Sequence, residues 1–312
     1  MRLLLLTLTA ATLLAMSPPE LPRPRREFRP AAGNGRVAAF SPNGSLLAVS
    51  GGAAPVAVFQ TGTGLLLRTY AGHAQPVTDL AFAPHPDTVL SADAAGQVRL
   101  WDAQTLATLA RWQAPAPLLA VAFAPGGGRA VLVAAHTAWL WALHDAPASA
   151  PVLLKLTLPA KSSLTAVVFA PDGQRVALGF DSGVALVYDL STGTQLQKAV
   201  GTTAVRGLCL HADTLLAATG TADVKIWPLQ PDATVQTLRL PQALTAVAIE
   251  PSGRTLALGF ATGETMLWNR SENRPDYVCQ GKGSTRRVQF QPGGDLLLAT
   301  YEEDGPKTWL VL

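Results

Sequence analysis

Five histidines, two cysteines and a thin scatter of carboxylates are the groups with which this chain could do bond-making chemistry. A catalytic metal needs three or four such ligands to converge, a nucleophilic site needs a hydroxyl or thiol beside a base, and a phosphate cradle needs a glycine-rich turn that opens a helix. None of these patterns is present. His73, His85, His136, His144 and His211 fall at different points of the repeat described below, so they are not expected to meet on one ion. There is no paired-histidine helix motif, Cys-x-x-Cys pair, calcium loop of alternating acids or Gly-x-Ser-x-Gly elbow. Gly62-Thr63-Gly64 is followed by no helix and reads as a turn. Cys209 and Cys279 read as small buried residues too far apart to bridge. No catalytic residue, metal or cofactor is expected.

Binding chemistry has a clearer candidate. Arg36, Thr78, Leu119, Thr165, Arg206, Thr245 and Arg286 each stand four residues ahead of a recurring apolar landmark, and Asp79 and Arg287 follow one residue later. Arginines gathered on a concave rim can bind a carboxylate, a phosphate or an acidic peptide through paired N–H donors. The competing reading has each arginine reaching to solvent or pairing with local acids such as Glu302 and Glu303. The elements that carry them decide between the two.

The landmarks are Phe40, Phe82, Phe123, Phe169, Leu210, Ile249 and Phe290. They recur about every forty residues, the period of four-stranded propeller blades. In the second repeat, Val77–Phe82 alternates as a strand, Pro84 opens a turn, Thr88–Ala92 and Val98–Trp101 form the next two strands, and Leu106–Trp112 is the outermost. Turns such as Ser41-Pro42-Asn43-Gly44 put proline where φ must be near −65° and glycine at the exit. Third strands end in Phe59, Trp101, Trp141, Tyr188, Trp227, Trp268 and Trp309, each expected to pack between blades as structure rather than as a binding stripe. The fold class that follows is all-β: a seven-bladed β-propeller of four-stranded antiparallel blades over residues 26–312. The last repeat stops after its third strand, which would leave an open edge. The segment at about residues 26–29, Arg26-Glu27-Phe28-Arg29, is expected to close the ring beside Pro306–Leu312.

Trp101-Asp102 is a literal Trp-Asp pair and Gly72-His73 a literal Gly-His pair, with Tyr188-Asp189, Trp268-Asn269 and Phe59-Gln60 as weaker versions. Across residues 36–312 the repeats resemble those of the WD40 family, in a divergent, bacterial-type form. The resemblance implies that Gly72, His73, Trp101 and Asp102 are structural, and that a buried network joins a histidine, a hairpin aspartate, a second-strand hydroxyl and the tryptophan. Ala95 occupies the expected aspartate position, with Asp93 and Ser91 shifted, so most of that network is expected to be missing. In the family-like geometry the first strands line the central channel, which places Arg36, Thr78, Arg206, Arg286 and Arg287 at its mouth as the candidate partner-binding set. Trp139 stands where sister repeats carry Arg99 or Lys225, and Trp112 is also off pattern. An exposed Trp139 would be a hot spot for a partner, and packing against the long connection His144–Val152 is the competing explanation.

Hydrophobic residues make up 48% of the chain and charged residues 14%, as suits strands packed on both faces. The net charge of +3 and the absence of a long basic run give no nucleic-acid tract, although Arg23, Arg25, Arg26 and Arg29 cluster ahead of the ring. Met1-Arg2 followed by the apolar stretch Leu3–Met16 reads as a signal peptide over residues 1–17, too short to span a bilayer as a helix. Pro18 falls directly after a small-x-small site at Ala15 and Ser17, so cleavage and retention both stay open. Residues 18–25 form a Pro/Arg-rich linker, and no transmembrane span is expected after cleavage. The sequence thus predicts an exported protein, periplasmic or secreted, with a cytoplasmic location as the alternative. Its expected role is that of a monomeric, non-catalytic scaffold for a protein or peptide partner, acidic if the arginines contact it, and not for nucleic acid. Two alternatives stay open: a lactonase-like or quinoprotein-like propeller that binds or converts a small molecule, and a cell-envelope assembly factor.

Overall fold

The computed structural model describes residues 24–29, 35–51, 55–84, 87–143, 151–153, 162–170, 172–199, 201–211, 214–230 and 234–311. The leader and most of the linker expected at residues 1–23 lie outside them, as do residues 144–150 of the long third-to-fourth connection.

Seven four-stranded antiparallel sheets make the molecule. In six of them the strands lie in chain order, as in blade one, with Gly35–Phe40, Leu46–Gly51, Val56–Gln60 and Leu66–Tyr70. In the seventh, Thr285–Phe290, Leu296–Tyr301 and Lys307–Leu310 are completed by Arg26–Glu27 from the other end of the chain. Arg26 pairs with Thr308 and Glu27 with Lys307, and the Arg25 and Phe28 amides donate to the carbonyls of Thr308 and Pro306 at 2.6 and 2.9 Å. The expected closure is therefore present. It removes the open edge, and it drives Phe28 into complete burial, edge-on to Phe59 at 5.5 Å.

The core is divided among the blade interfaces. Phe59, Trp101, Trp141, Tyr188, Trp227, Trp268 and Trp309 each join a separate apolar cluster drawn from two adjacent blades. A flat sheet buries one face only against a neighbour, so a ring with no free sheet face needs one large filler per interface. Leu106 is not in a strand as expected: the outer strand of blade two is Thr108–Gln113, and Leu106 sits in the preceding turn at φ 63°.

Every first strand carries the same irregularity. Between Gly35 and Val37, Val77 and Asp79, Leu118 and Ala120, Leu164 and Ala166, Val205 and Gly207, Leu244 and Ala246, and Thr285 and Arg287, the register with the second strand slips by one residue. The extra residues are Arg36, Thr78, Leu119, Thr165, Arg206, Thr245 and Arg286. A bulge re-aims the side chain it carries and sharpens the local twist. The ring picked out by counting back from the landmarks is the ring of bulges.

Candidate functional site

The inner strands enclose a channel of about 880 Å³ lined by Arg36, Thr78, Leu119, Thr165, Arg206 and Arg286 among others; Thr245 is absent from the lining. Below this ring the walls are mostly alanine and valine, as at Ala120, Ala166, Ala246 and Val121. The channel is therefore polar at one end and apolar within.

The cations differ in what holds them. Arg286 pairs with Glu302 at 2.9 Å, both well exposed, so the pair adds little stability. Arg287 reaches from blade seven to Asp79 of blade two at 2.6 Å, while the other Asp79 oxygen accepts the Val121 amide at 2.9 Å. Asp79 is buried and committed to positioning three blades. Arg36 and Arg206 are exposed and have no hydrogen-bond or ion-pair partner among the described residues. Thr78 and Thr165 donate their hydroxyls to the carbonyls of Ala92 and Val205 at 3.2 and 2.7 Å, which leaves them no donor for an acidic ligand.

A second polar constellation lies under the mouth, in blade two, and corrects the expectation that the buried network is mostly missing. His73 Nδ1 is 3.0 Å from Asp93 Oδ2, His73 Nε2 is 2.7 Å from Ser91 Oγ, and Trp101 Nε1–H donates to the same Oγ at 3.0 Å. A carboxylate can only accept, so Nδ1 carries the proton, and Ser91 gives its single O–H to Nε2 while receiving Trp101. Every group is satisfied with a neutral imidazole. Burial is the chief reason that the His73 pKa lies below its ordinary value, against the pull of Asp93. Asp93 serves in place of Ala95 because its Oδ1 also closes the hairpin, accepting the amides of Ala95 and Gln97 at 3.0 and 2.9 Å. Gly72 is required for a local reason: a Cβ there would meet the ring of Tyr70, which stacks on Trp101 at 4.2 Å with 3° between planes.

Asp102 turns outward and caps the next turn, accepting the amides of Gln104 and Thr105 at 2.8 and 2.7 Å. Those bonds, led by the Thr105 amide, lower its pKa. Asp189 accepts the Ser191 hydroxyl at 2.6 Å and the amides of Thr192 and Ser191, and those bonds, led by the Ser191 hydroxyl, hold it at about 2. Gly72, His73, Trp101 and Asp102 thus build the blade and contact no channel.

Trp139 is not a surface hot spot. It is 7% exposed and packs edge-on to Trp112 of blade two at 5.4 Å, which fills the blade two/three interface, whereas Arg99 and Lys225 at the same level of their blades stay partly exposed. Cys209 lines the channel but is buried, and burial pushes its thiol up to about 12, so it is an unreactive wall residue. No group of three or more metal-ligating side chains converges among the described residues.

Residues 64–102, from the end of the blade-one turn to the close of the third strand of blade two, match the family model described as WD40, the WD domain or G-beta repeat. The segment holds the whole His73, Ser91, Asp93 and Trp101 network. Telomerase protein component 1 of Rattus norvegicus is 30% identical over 146 residues, covering 46% of this chain and 6% of that protein. Pre-mRNA-processing factor 19 homolog 2 of Arabidopsis thaliana is 25% identical over 253 residues, covering 77% of this chain and 47% of that protein. The chain thus spans less than half the length of these curated relatives. The β-propeller domain of Cps50 (Swd1) from Myceliophteria thermophila superposes with a TM-score of 0.79 at 19% identity, over 92% of this chain and 99% of that one, which is a likeness of fold.

Proposed function

We propose that this propeller, carrying a WD40 repeat, is a non-catalytic interaction platform, exported from the cytoplasm, that holds an acidic segment of a protein partner at its channel mouth. The observation that carries this reading is the contrast among the arginines. Arg286 and Arg287 are neutralised by Glu302 and Asp79, whereas Arg36 and Arg206 are presented on bulges with no counter-charge among the described residues, at the rim of a channel with apolar walls. A carboxylate entering between them would find paired donors already positioned. Propellers of this kind typically bind proteins, and one similar protein is by name a component of telomerase, which supports an assembly role rather than a catalytic one. Export rests on the apolar start Leu3–Met16.

In-cell cross-linking and capture of the tagged full-length chain, compared with Arg36→Glu/Arg206→Glu/Arg286→Glu, tests the reading. Partners recovered outside the cytoplasm and lost in the triple variant support it. A catch unchanged by the substitutions removes the arginine site, and a protein that fractionates with the cytosol removes the export.

A further inference from the structure

We propose that the rim at which the chain enters the closing strand is a docking surface for an anionic lipid bilayer. Three successive leucines lead into and open the outer strand of blade one, all turned to solvent: Leu65, just ahead of the strand, and Leu66 and Leu67 within it are 60%, 44% and 37% exposed. Leu66 pairs with Phe59 and Arg68 with Val58, so Leu67 is the extra residue of a bulge, which turns it outward beside its neighbours and gathers the three leucines at the solvent edge of the blade. The outer strand of blade six, by contrast, carries Arg274, Pro275 and Asp276, residues that keep an edge from associating. Leu310, 41% exposed, adds a fourth apolar group, and the pairing of Arg26 with Thr308 directs Pro24 toward it.

Basic residues frame the leucines. Arg26 donates to the Gly62 carbonyl at 3.3 Å, and its stem lies beside Gly64, the residue before Leu65. Arg25 lines an adjoining cleft of about 410 Å³ with Asn43, Ser45, Gln60 and Asp295. Arg68 is exposed on the same strand as the leucines. Of the nearby acids among the described residues, Glu27 is taken up by Arg29 and Lys307, Asp102 caps its own turn and also faces Arg68, and Asp295 lines the cleft beside Arg25, so Arg25 and Arg26 carry most of the basic character of this rim.

The occupant follows from the chain itself. Leu3–Met16 is apolar but too short to span a bilayer, and it leads into this rim through Arg23, Arg25 and Arg26. One apolar segment gives only reversible membrane binding, and firm attachment needs a second signal such as a basic patch. The leucine rim supplies both apolar area and charge at the point of attachment. The orientation also suits the molecule: Arg36 lies at the start of the first strand of blade one, Gly35–Phe40, and the turn Ser41–Ser45 follows its other end, so a bilayer on the turn side leaves the channel mouth facing away.

Co-sedimentation of the full-length chain with vesicles of phosphatidylcholine alone, or mixed with phosphatidylglycerol at roughly two to one, reads this directly. Wild type is expected to prefer the mixed vesicles by about tenfold or more, and Leu65→Ser/Leu66→Ser/Leu67→Ser and Arg25→Glu/Arg26→Glu each to lose about tenfold while melting as wild type does. Equal binding to both vesicle types, or a leucine variant that binds as wild type, overturns the proposal and leaves any attachment to the apolar start. A leucine variant that loses only a concentration-dependent dimer also overturns it, and assigns the patch to a second copy of the chain. None of these outcomes bears on the channel mouth.

Discussion

Arg287 and Asp79 meet at 2.6 Å across the channel although 208 residues separate them in the chain. Their blades are not neighbours, since blade one stands between them, so the pair ties the end of the ring to its beginning over an intervening strand. It also fixes the charge of the mouth by removing one cation from it.

Replacement of Asp79 by alanine takes the acceptor from both Arg287 and the Val121 amide. The amide is buried and the guanidinium can return to water, so the loss is expected to be about 2 kcal/mol, dominated by the amide. Arg287→Ala is expected to cost about 1 kcal/mol, because the half-exposed cation gains little from a partner in partial solvent. Chemical denaturation of both single variants and the double variant checks this, and a larger loss from Arg287→Ala would reverse the assignment.

His73 predicts a pH dependence. Its folded pKa is depressed below the 6.5 of the unfolded imidazole, so at pH values between the two the unfolded chain holds the extra proton. Stability is therefore flat above pH 6.5 and falls as pH drops from there toward the folded pKa. The lowered carboxylates Asp102, Asp172, Asp189 and Asp304 act in a separate window, below their ordinary 3.8. Melting curves of wild type and His73→Gln at several pH values should show the upper slope in wild type only.

Ser91 is the hub on which one buried donor, Trp101 Nε1–H, and one buried acceptor, His73 Nε2, depend. Ser91→Ala leaves Trp101 Nε1–H without an acceptor and His73 Nε2 without a donor, and should cost about 2–5 kcal/mol. Ser91→Thr keeps the hydroxyl, and a threonine variant as unstable as the alanine one would show that space rather than hydrogen bonding rules the site.

Phe28 is the test of closure. Phe28→Ala vacates a fully buried site against Phe59 and should cost about 3–5 kcal/mol. Arg29→Ala, at an exposed position one residue on, should be close to neutral. Equal denaturation midpoints for Phe28→Ala and wild type would mean that the closing strand is dispensable.

The repeat made the blades legible because local physics writes it: alternation, proline-glycine turns and one large aromatic per third strand all recur with the same spacing. The closing strand was legible too, since an incomplete last blade demands a partner and Arg26–Glu27 was the spare segment. Even the ring of channel residues could be counted out from the landmarks. Their shared bulge could not be, because a bulge is a mismatch between two strands and leaves no mark on either one alone. Glu302 as a local partner for Arg286 was foreseeable within one blade, but that Asp79 takes Arg287 depends on which blades meet, and so does the lack of a partner for Arg36 and Arg206 among the described residues. Trp139 failed for the same reason, its exposure being set by Trp112 on a neighbouring blade. The family spacing misled at Ala95, because geometry let Asp93 both close the hairpin and reach His73. Periodicity and turn chemistry are local and were determined by the sequence itself; charge pairing, burial of single side chains and the hydrogen-bonded network are products of long-range proximity, and only the tertiary structure decided them.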